Sequence, residues 1–166
     1  MDQELIDQAQ ALLDLCRKKR LKIAAAESCT GGLVAAIVTE IPGSSDVFER
    51  GFVTYSNEAK QAMLGVAPTT LENHGAVSRE TAEAMAKGAI ARAPVDLAVS
   101  ITGIAGPGGA TPGKPVGLVH FAGASRRGRL IHREQKYGDI GRAQVRRASV
   151  VEALAILGEL ARHEAP

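Results

Sequence analysis

Residues 21–41, LKIAAAESCTGGLVAAIVTEI, constrain this chain more than any other stretch. LKIAAAE has the length and apolar character of a buried strand, and GGLVAAIVTEI continues as an apolar helix that Pro42 and Gly43 end. A strand that passes through a short polar turn into a helix points to a sheet with helices laid on its faces. Aromatic residues make up only 3% of the 166, and tryptophan is absent. The core is therefore built from Ala, Val, Ile and Leu, whose small faces suit helix-on-sheet packing.

The rest of the chain extends this pattern. Leu5, Ile6, Ala9, Leu12, Leu13 and Cys16 fall on one stripe of a helix over 3–18, with Asp2 placed to cap it, so Cys16 is a core residue. RGFVTY (50–55) reads as a strand, SNEAKQAMLGV (56–66) as a short helix closed by Gly65, and SRETAEAMAKGAIARA (78–93) as a helix capped by Ser78 and stopped before Pro94. The strand VDLAVSIT (95–102) feeds GIAGPGGATPGKPVG (103–117), too rich in glycine and proline for regular structure. Strands over 118–125 and 130–138 flank RRGR, read as a solvated hairpin turn, and a helix from 140 to about 162 closes the chain. The order predicts an α/β fold: a single-domain three-layer sandwich over 1–166, with a mixed β-sheet and helices on both faces. Such sheets bind ligands in the loops beyond the C-terminal ends of their strands, where Ser28, Tyr55 and Thr102 fall.

Charge and composition exclude several partners. Twenty basic residues against 18 acidic ones leave a net charge of +2, which gives no field for nucleic acid or a membrane surface, and scarce aromatics leave bases nothing to stack on. No apolar run approaches the length of a membrane span, MDQELIDQAQ lacks the features of a signal peptide, and two cysteines are too few for a disulfide framework. A cytoplasmic location is expected. So is a homo-oligomer, with a dimer favoured, the commoner state of soluble enzymes.

Ser28 admits two readings. As a cap, its hydroxyl accepts from the helix opening at Gly31. As a nucleophile, it sits beside Gly31 and Gly32, which let a ligand approach the backbone, and beside helix-start N–H groups that favour developing negative charge. The spacing differs from the GxSxG elbow of the α/β hydrolases. Cys29 is the rival nucleophile, but a cysteine needs a histidine base, and His74, His120, His132 and His163 lie in segments of no common character; Cys29 is read as small packing.

A serine without a histidine turns to lysine. With Ser56 as N-cap, Tyr55 and Lys60 occupy the two positions that meet in a hydrophobic staple. Either the tyrosine ring lies on the lysine methylenes with the ammonium in water, or Lys60 is a general base that Tyr55 orients. Arg142 and Arg146 stand four apart at the start of the last helix, where like charge and the dipole both oppose them. Either both spread into solvent or an anionic ligand relieves the cost, with Asp139 as a cap that offsets part of it.

Taken in order, AESCTGG, VTYSNEAKQAMLGV, HGAVSRETAEAMAKGA, SITGIAGPGG, KPVGLV and the late arginines closely resemble the CinA C-terminal domain family, from about residue 21 to about 155. That resemblance implies hydrolysis of the carboxamide of nicotinamide mononucleotide (NMN) in pyridine nucleotide salvage, by a serine nucleophile with no metal and no cofactor. It implies Ser28 as nucleophile, Lys60 as its base and Tyr55 as its partner. Thr30, Gly31, Gly32, Ser45, Thr102, Gly103, Arg142 and Arg146 would be the substrate-binding residues. Arg50 stands where the family often carries glycine, which implies an altered mouth of the site. The alternative is a non-catalytic nucleotide-binding module that uses the same turn and the GIAGPGG loop as an anion nest. A structural part in DNA uptake or repair, suggested by the family's competence-related name, gains nothing from the charge or the aromatics.

Overall fold

The computed structural model describes residues 2–165, so the first and last residues of the expected 1–166 domain lie outside the described residues. The chain order is α1 (Gln3–Lys19), β1 (Ile23–Glu27), α2 (Leu33–Thr39), a 3₁₀ turn (Ser44–Asp46), β2 (Phe48–Val53), α3 (Asn57–Leu64), α4 (Pro68–His74), α5 (Arg79–Arg92), β3 (Leu97–Gly103), β4 (Leu118–Ser125), β5 (Leu130–Lys136) and α6 (Arg142–His163). One five-stranded sheet runs β2-β1-β3-β4-β5. β1 is parallel to both β2 and β3, and β3, β4 and β5 are successively antiparallel, so the sheet is mixed.

The two faces of the sheet have separate cores. On one, Ile23, Ala25, Leu97, Val99, Ile101, Val119 and Phe121 meet α1, α2 and α6. On the other, Ala24, Ala26, Phe52 and Ala98 meet Leu64, Leu71, Met85 and Ala89 of α3, α4 and α5. Alternate residues of β1 serve opposite faces, as the pleat requires, and its alanines leave room for helices on both. Close approach reaches its limit at Gly88, where a Cβ would lie 2.0 Å from the Leu64 carbonyl oxygen. Glycine there lets α5 press against α3.

Several local expectations are corrected. α4 was not expected; Pro68 at its first turn and Gly75 just past its end are its local signals. RRGR is not simply solvated: Arg126 donates to the carbonyls of Ile90, Ala93 and Val95 and so ties down the end of α5. Asp139 does not cap α6, whose N-cap is Gly141 without a side-chain bond. Asp2 does cap α1, accepting from the amides of Glu4 and Leu5. Among the described residues no helix is long and apolar enough to cross a membrane.

Candidate active site

Parallel pairing of β1 with β2 and β3 brings the C-terminal ends of all three to one edge of the sheet. Ser28 leaves β1 there, Thr54 and Tyr55 leave β2, and Thr102 and Gly103 end β3. Between them lies a cleft of about 270 Å³ whose lining includes Ser28, Cys29, Tyr55, Lys60, Thr102, Gly103 and Arg142. Among the described residues Lys60 and Arg142 are its charged lining residues, and no carboxylate lines it.

Lys60 is the decisive side chain. Ser56 caps α3 by accepting from the Ala59 amide, which sets Lys60 on the helix turn that faces the sheet. The residue is 1% exposed. Its Nζ donates to Ser28 Oγ at 3.0 Å, to the Thr54 carbonyl at 2.9 Å and to the Tyr55 carbonyl at 3.5 Å. Burial lowers its pKa from the ordinary lysine value, with a smaller opposing effect from neighbouring Cys29. A buried amine within hydrogen-bond reach of a serine hydroxyl is the arrangement a base–nucleophile pair requires. The expected contact of the Tyr55 side chain with Lys60 gives way to a different one. Tyr55 is 59% exposed and its hydroxyl accepts from Arg142 Nη2 at 2.7 Å, while Lys60 meets only the Tyr55 backbone.

Ser28 does not cap α2. The N-cap is Gly32, and the helix-start amides of Gly32, Val34 and Ala35 donate instead to the carboxylate of Glu27. Gly31 and Gly32 do not line the cleft. Their φ values of 56° and 104° are left-handed, so the turn itself requires glycine at both positions. The amides of Cys29 and Thr30 donate to no protein acceptor among the described residues. Burial pushes the Cys29 thiol up to about 11, which keeps it protonated and poorly nucleophilic near neutral pH.

The remaining candidates divide. Thr102 lines the cleft and donates from Oγ1 to the Ala76 carbonyl at 2.8 Å. Gly103 lines it too, and a Cβ there would come within 2.7 Å of Val119 Cγ2. Arg142 donates to the Gly106 carbonyl at 2.9 Å as well as to Tyr55. Arg146 lies outside the cleft lining and donates to the carbonyls of Cys29 and Thr30. Thr30 is fully buried and outside the cleft lining, its Oγ1 without a protein partner among the described residues. Ser45 is exposed in the 3₁₀ turn before β2, at the opposite edge of the sheet, about 16 Å of strand away. Arg50 lies on β2, where it pairs with Glu49 and donates to the Arg92 carbonyl, so it does not shape the mouth of the cleft. His120 and His132, expected to have nothing in common, are paired across β4 and β5 at 2.9 Å, outside the cleft lining.

Residues that the sequence reading passed over complete the walls. Asn57 lines the cleft from the first turn of α3, Ala76 and Val77 from the connection of α4 to α5, and the segment from Ile104 to Gly109 from the glycine-rich loop. Lys114 fastens that loop to the end of α4 by donating to the His74 carbonyl at 2.6 Å. Glu27 was passed over too; it lies outside the cleft lining, and its local signal is a charged residue ending an otherwise apolar strand.

Comparison with known proteins shows the family and the fold. The nicotinamide-nucleotide amidohydrolase PncC of Escherichia coli K12 is 49% identical over 157 residues, 94% of each chain. The crystal structure of the competence/damage inducible protein CihA from Agrobacterium tumefaciens superposes with a TM-score of 0.93 at 51% identity, again covering 94% of both chains. Longer relatives include the CinA-like protein of Chlorobaculum tepidum, 52% identical over 117 residues, and this chain covers 70% of itself but only 28% of that protein; for the first two relatives of this longer kind the covered share is 30% and 28%. With the family model for the CinA C-terminal domain matched over residues 6–161, the chain belongs to the CinA C-terminal domain family.

Proposed function

We propose that the chain is a nicotinamide-nucleotide amidohydrolase that converts NMN and water to nicotinate mononucleotide and ammonia, in pyridine nucleotide salvage. The observation that carries the reading is the buried Lys60 amine 3.0 Å from Ser28 Oγ at the floor of the cleft. The similarity to PncC over 94% of both chains supplies the substrate class. Neutral Lys60 takes the proton of Ser28 as Oγ bonds to the carboxamide carbon. The free amide of Cys29, which lines the cleft beside Ser28, is the donor for the oxyanion. Collapse of the tetrahedral adduct breaks the C–N bond, Lys60 returns the proton to the departing nitrogen, and ammonia leaves an ester on Ser28. Lys60 then takes a proton from water as its oxygen bonds to the ester carbon, and collapse of that adduct breaks the C–Oγ bond while Lys60 returns the proton to Ser28 Oγ, which releases the acid and restores both side chains. Arg142, which meets Tyr55 at the rim, binds the 5′-phosphate through its guanidinium in this reading.

The test is purified protein with NMN, with and without EDTA, read by ammonia release and by chromatography of the nucleotide. Equal ammonia and nicotinate mononucleotide in both buffers is the expected result. Release that vanishes with EDTA overturns the metal-free chemistry. Binding of NMN without release overturns the enzyme and leaves the nucleotide-binding module.

A further inference from the structure

The turn that carries Ser28 is held by two oppositely charged side chains. Glu27 is 1% exposed, and its Oε1 accepts from the amides of Gly32 at 3.3 Å and Val34 at 3.0 Å while Oε2 accepts from Ala35 at 3.1 Å. These are the orphan donors of α2, a helix with no side-chain cap at its own N-cap residue. The Arg146 guanidinium takes the carbonyls of Cys29 and Thr30. Backbone bonds anchor the turn to the sheet: the Ser28 amide donates to Ile101, and the Glu27 carbonyl accepts from Thr54. Glu27 joins no ion pair among the described residues, so its buried charge is compensated by helix-start amides and the positive end of the helix.

We infer that Glu27 is a positioning residue for the reaction proposed above: by taking the α2 amides it fixes the Ser28–Gly32 turn, aims Oγ at Lys60, and leaves the amide of Cys29 as the oxyanion donor. The inference rests on Ser28 being the nucleophile. Glutamine at this position keeps the shape but turns an N–H₂ group toward one of the amides and removes the charge, so the turn is loosened without being cut out.

The experiment compares wild type with Glu27→Gln, and with Glu27→Asp as the charge-retaining control should the first variant not fold. Two readouts are taken: kcat and KM for NMN, and the rate at which a small serine-directed sulfonyl fluoride labels Ser28, followed by peptide mass spectrometry. Expected is a fall of about tenfold to a hundredfold in kcat and in labelling rate, with KM within a few-fold and melting still cooperative, because a misaimed reacting atom costs rate before it costs binding. Aspartate, one methylene shorter, gives a smaller fall. Labelling and kcat equal to wild type in a folded variant overturn the inference, as does a rise in KM alone. Labelling does not need NMN: wild type that labels quickly but releases no ammonia overturns the proposed substrate and leaves Glu27 standing if its variants label slowly. Wild-type Ser28 that never labels overturns both.

Discussion

Lys60 can act as a base only when neutral, and a free lysine titrates near 10.4. Burial lowers that value here, so the neutral fraction at a given pH is larger than for a lysine in water. The kcat for NMN is therefore expected to rise with pH to a plateau set by Lys60 in the complex. Lys60→Arg, which keeps the charge but does not deprotonate, should fold, bind NMN and be inactive; a Lys60→Arg enzyme with an unchanged pH profile would leave Lys60 as a mere positive charge. The same shift bears on stability. The folded pKa lies below the unfolded one, so the destabilisation is complete below the folded value and fades as pH rises toward the unfolded value. Ser28→Ala should abolish turnover with little loss of fold, and Cys29→Ala should keep most activity, both read by ammonia release beside a melting curve. The candidate pair Ser28 and Lys60 was legible as residues, because a serine at a strand–helix turn and a lysine one turn past an N-cap are local patterns. Their contact was not, since it joins residues 32 apart in sequence, and the local staple rule pointed to the Tyr55 ring instead.

At the scale of the element, α6 sends two arginines from one end to different tasks. Arg142, in its first turn, reaches the rim, and Arg146, one turn on, grips the carbonyls behind Ser28. Arg142→Gln should raise KM for NMN by about one to two decades and change KM for nicotinamide riboside little, because only NMN has a phosphate to lose. Arg146→Gln should lower kcat on both substrates alike; a selective loss on NMN in that variant would return Arg146 to the phosphate. Sequence periodicity marked both residues as costly cations but could not separate them, because the difference lies in which distant carbonyls each one meets. The same limit explains Arg126 and Asp139. A basic turn looks solvated until the end of α5 arrives beside it, and an acid near a helix start looks like a cap until Gly141 takes that place.

At the scale of the whole molecule, the sheet order does what no single motif does, gathering three strand ends around one cleft. The α/β class and the mixed sheet were legible because helix and strand periods alternate along the chain. The placement of Ser45 was not, because a position in sequence does not say which edge of the sheet a turn occupies. Packing also reaches the site from afar. Gly88→Ala would set a Cβ against the Leu64 carbonyl, a backbone atom one turn beyond Lys60 on α3. α3 would have to draw back from α5, so a loss of about 1 to 3 kcal/mol in stability is expected, together with a fall in kcat as Lys60 shifts from Ser28. Calorimetry and the ammonia assay check the two parts, and an unchanged kcat in the destabilised variant would show that α3 yields without carrying Lys60 along.

Among the described residues the cleft is lined by one lysine and one arginine and by no acid, and for the proposed deamidation this imbalance would govern how each turnover ends. The proposed reaction replaces a neutral amide with a carboxylate, formed beside the Lys60 amine. As that amine regains its proton, ammonium and carboxylate attract at close range in a site where water screens poorly. The acid is then held more firmly than the amide that gave rise to it. Progress curves should bend well before NMN is exhausted, added nicotinate mononucleotide should compete with NMN at concentrations below its KM, and the inhibition should ease as pH rises and Lys60 stays neutral. Whatever reaction consumes the acid would then set the pace of the proposed hydrolysis, because the cleft empties fastest when its product is drawn away.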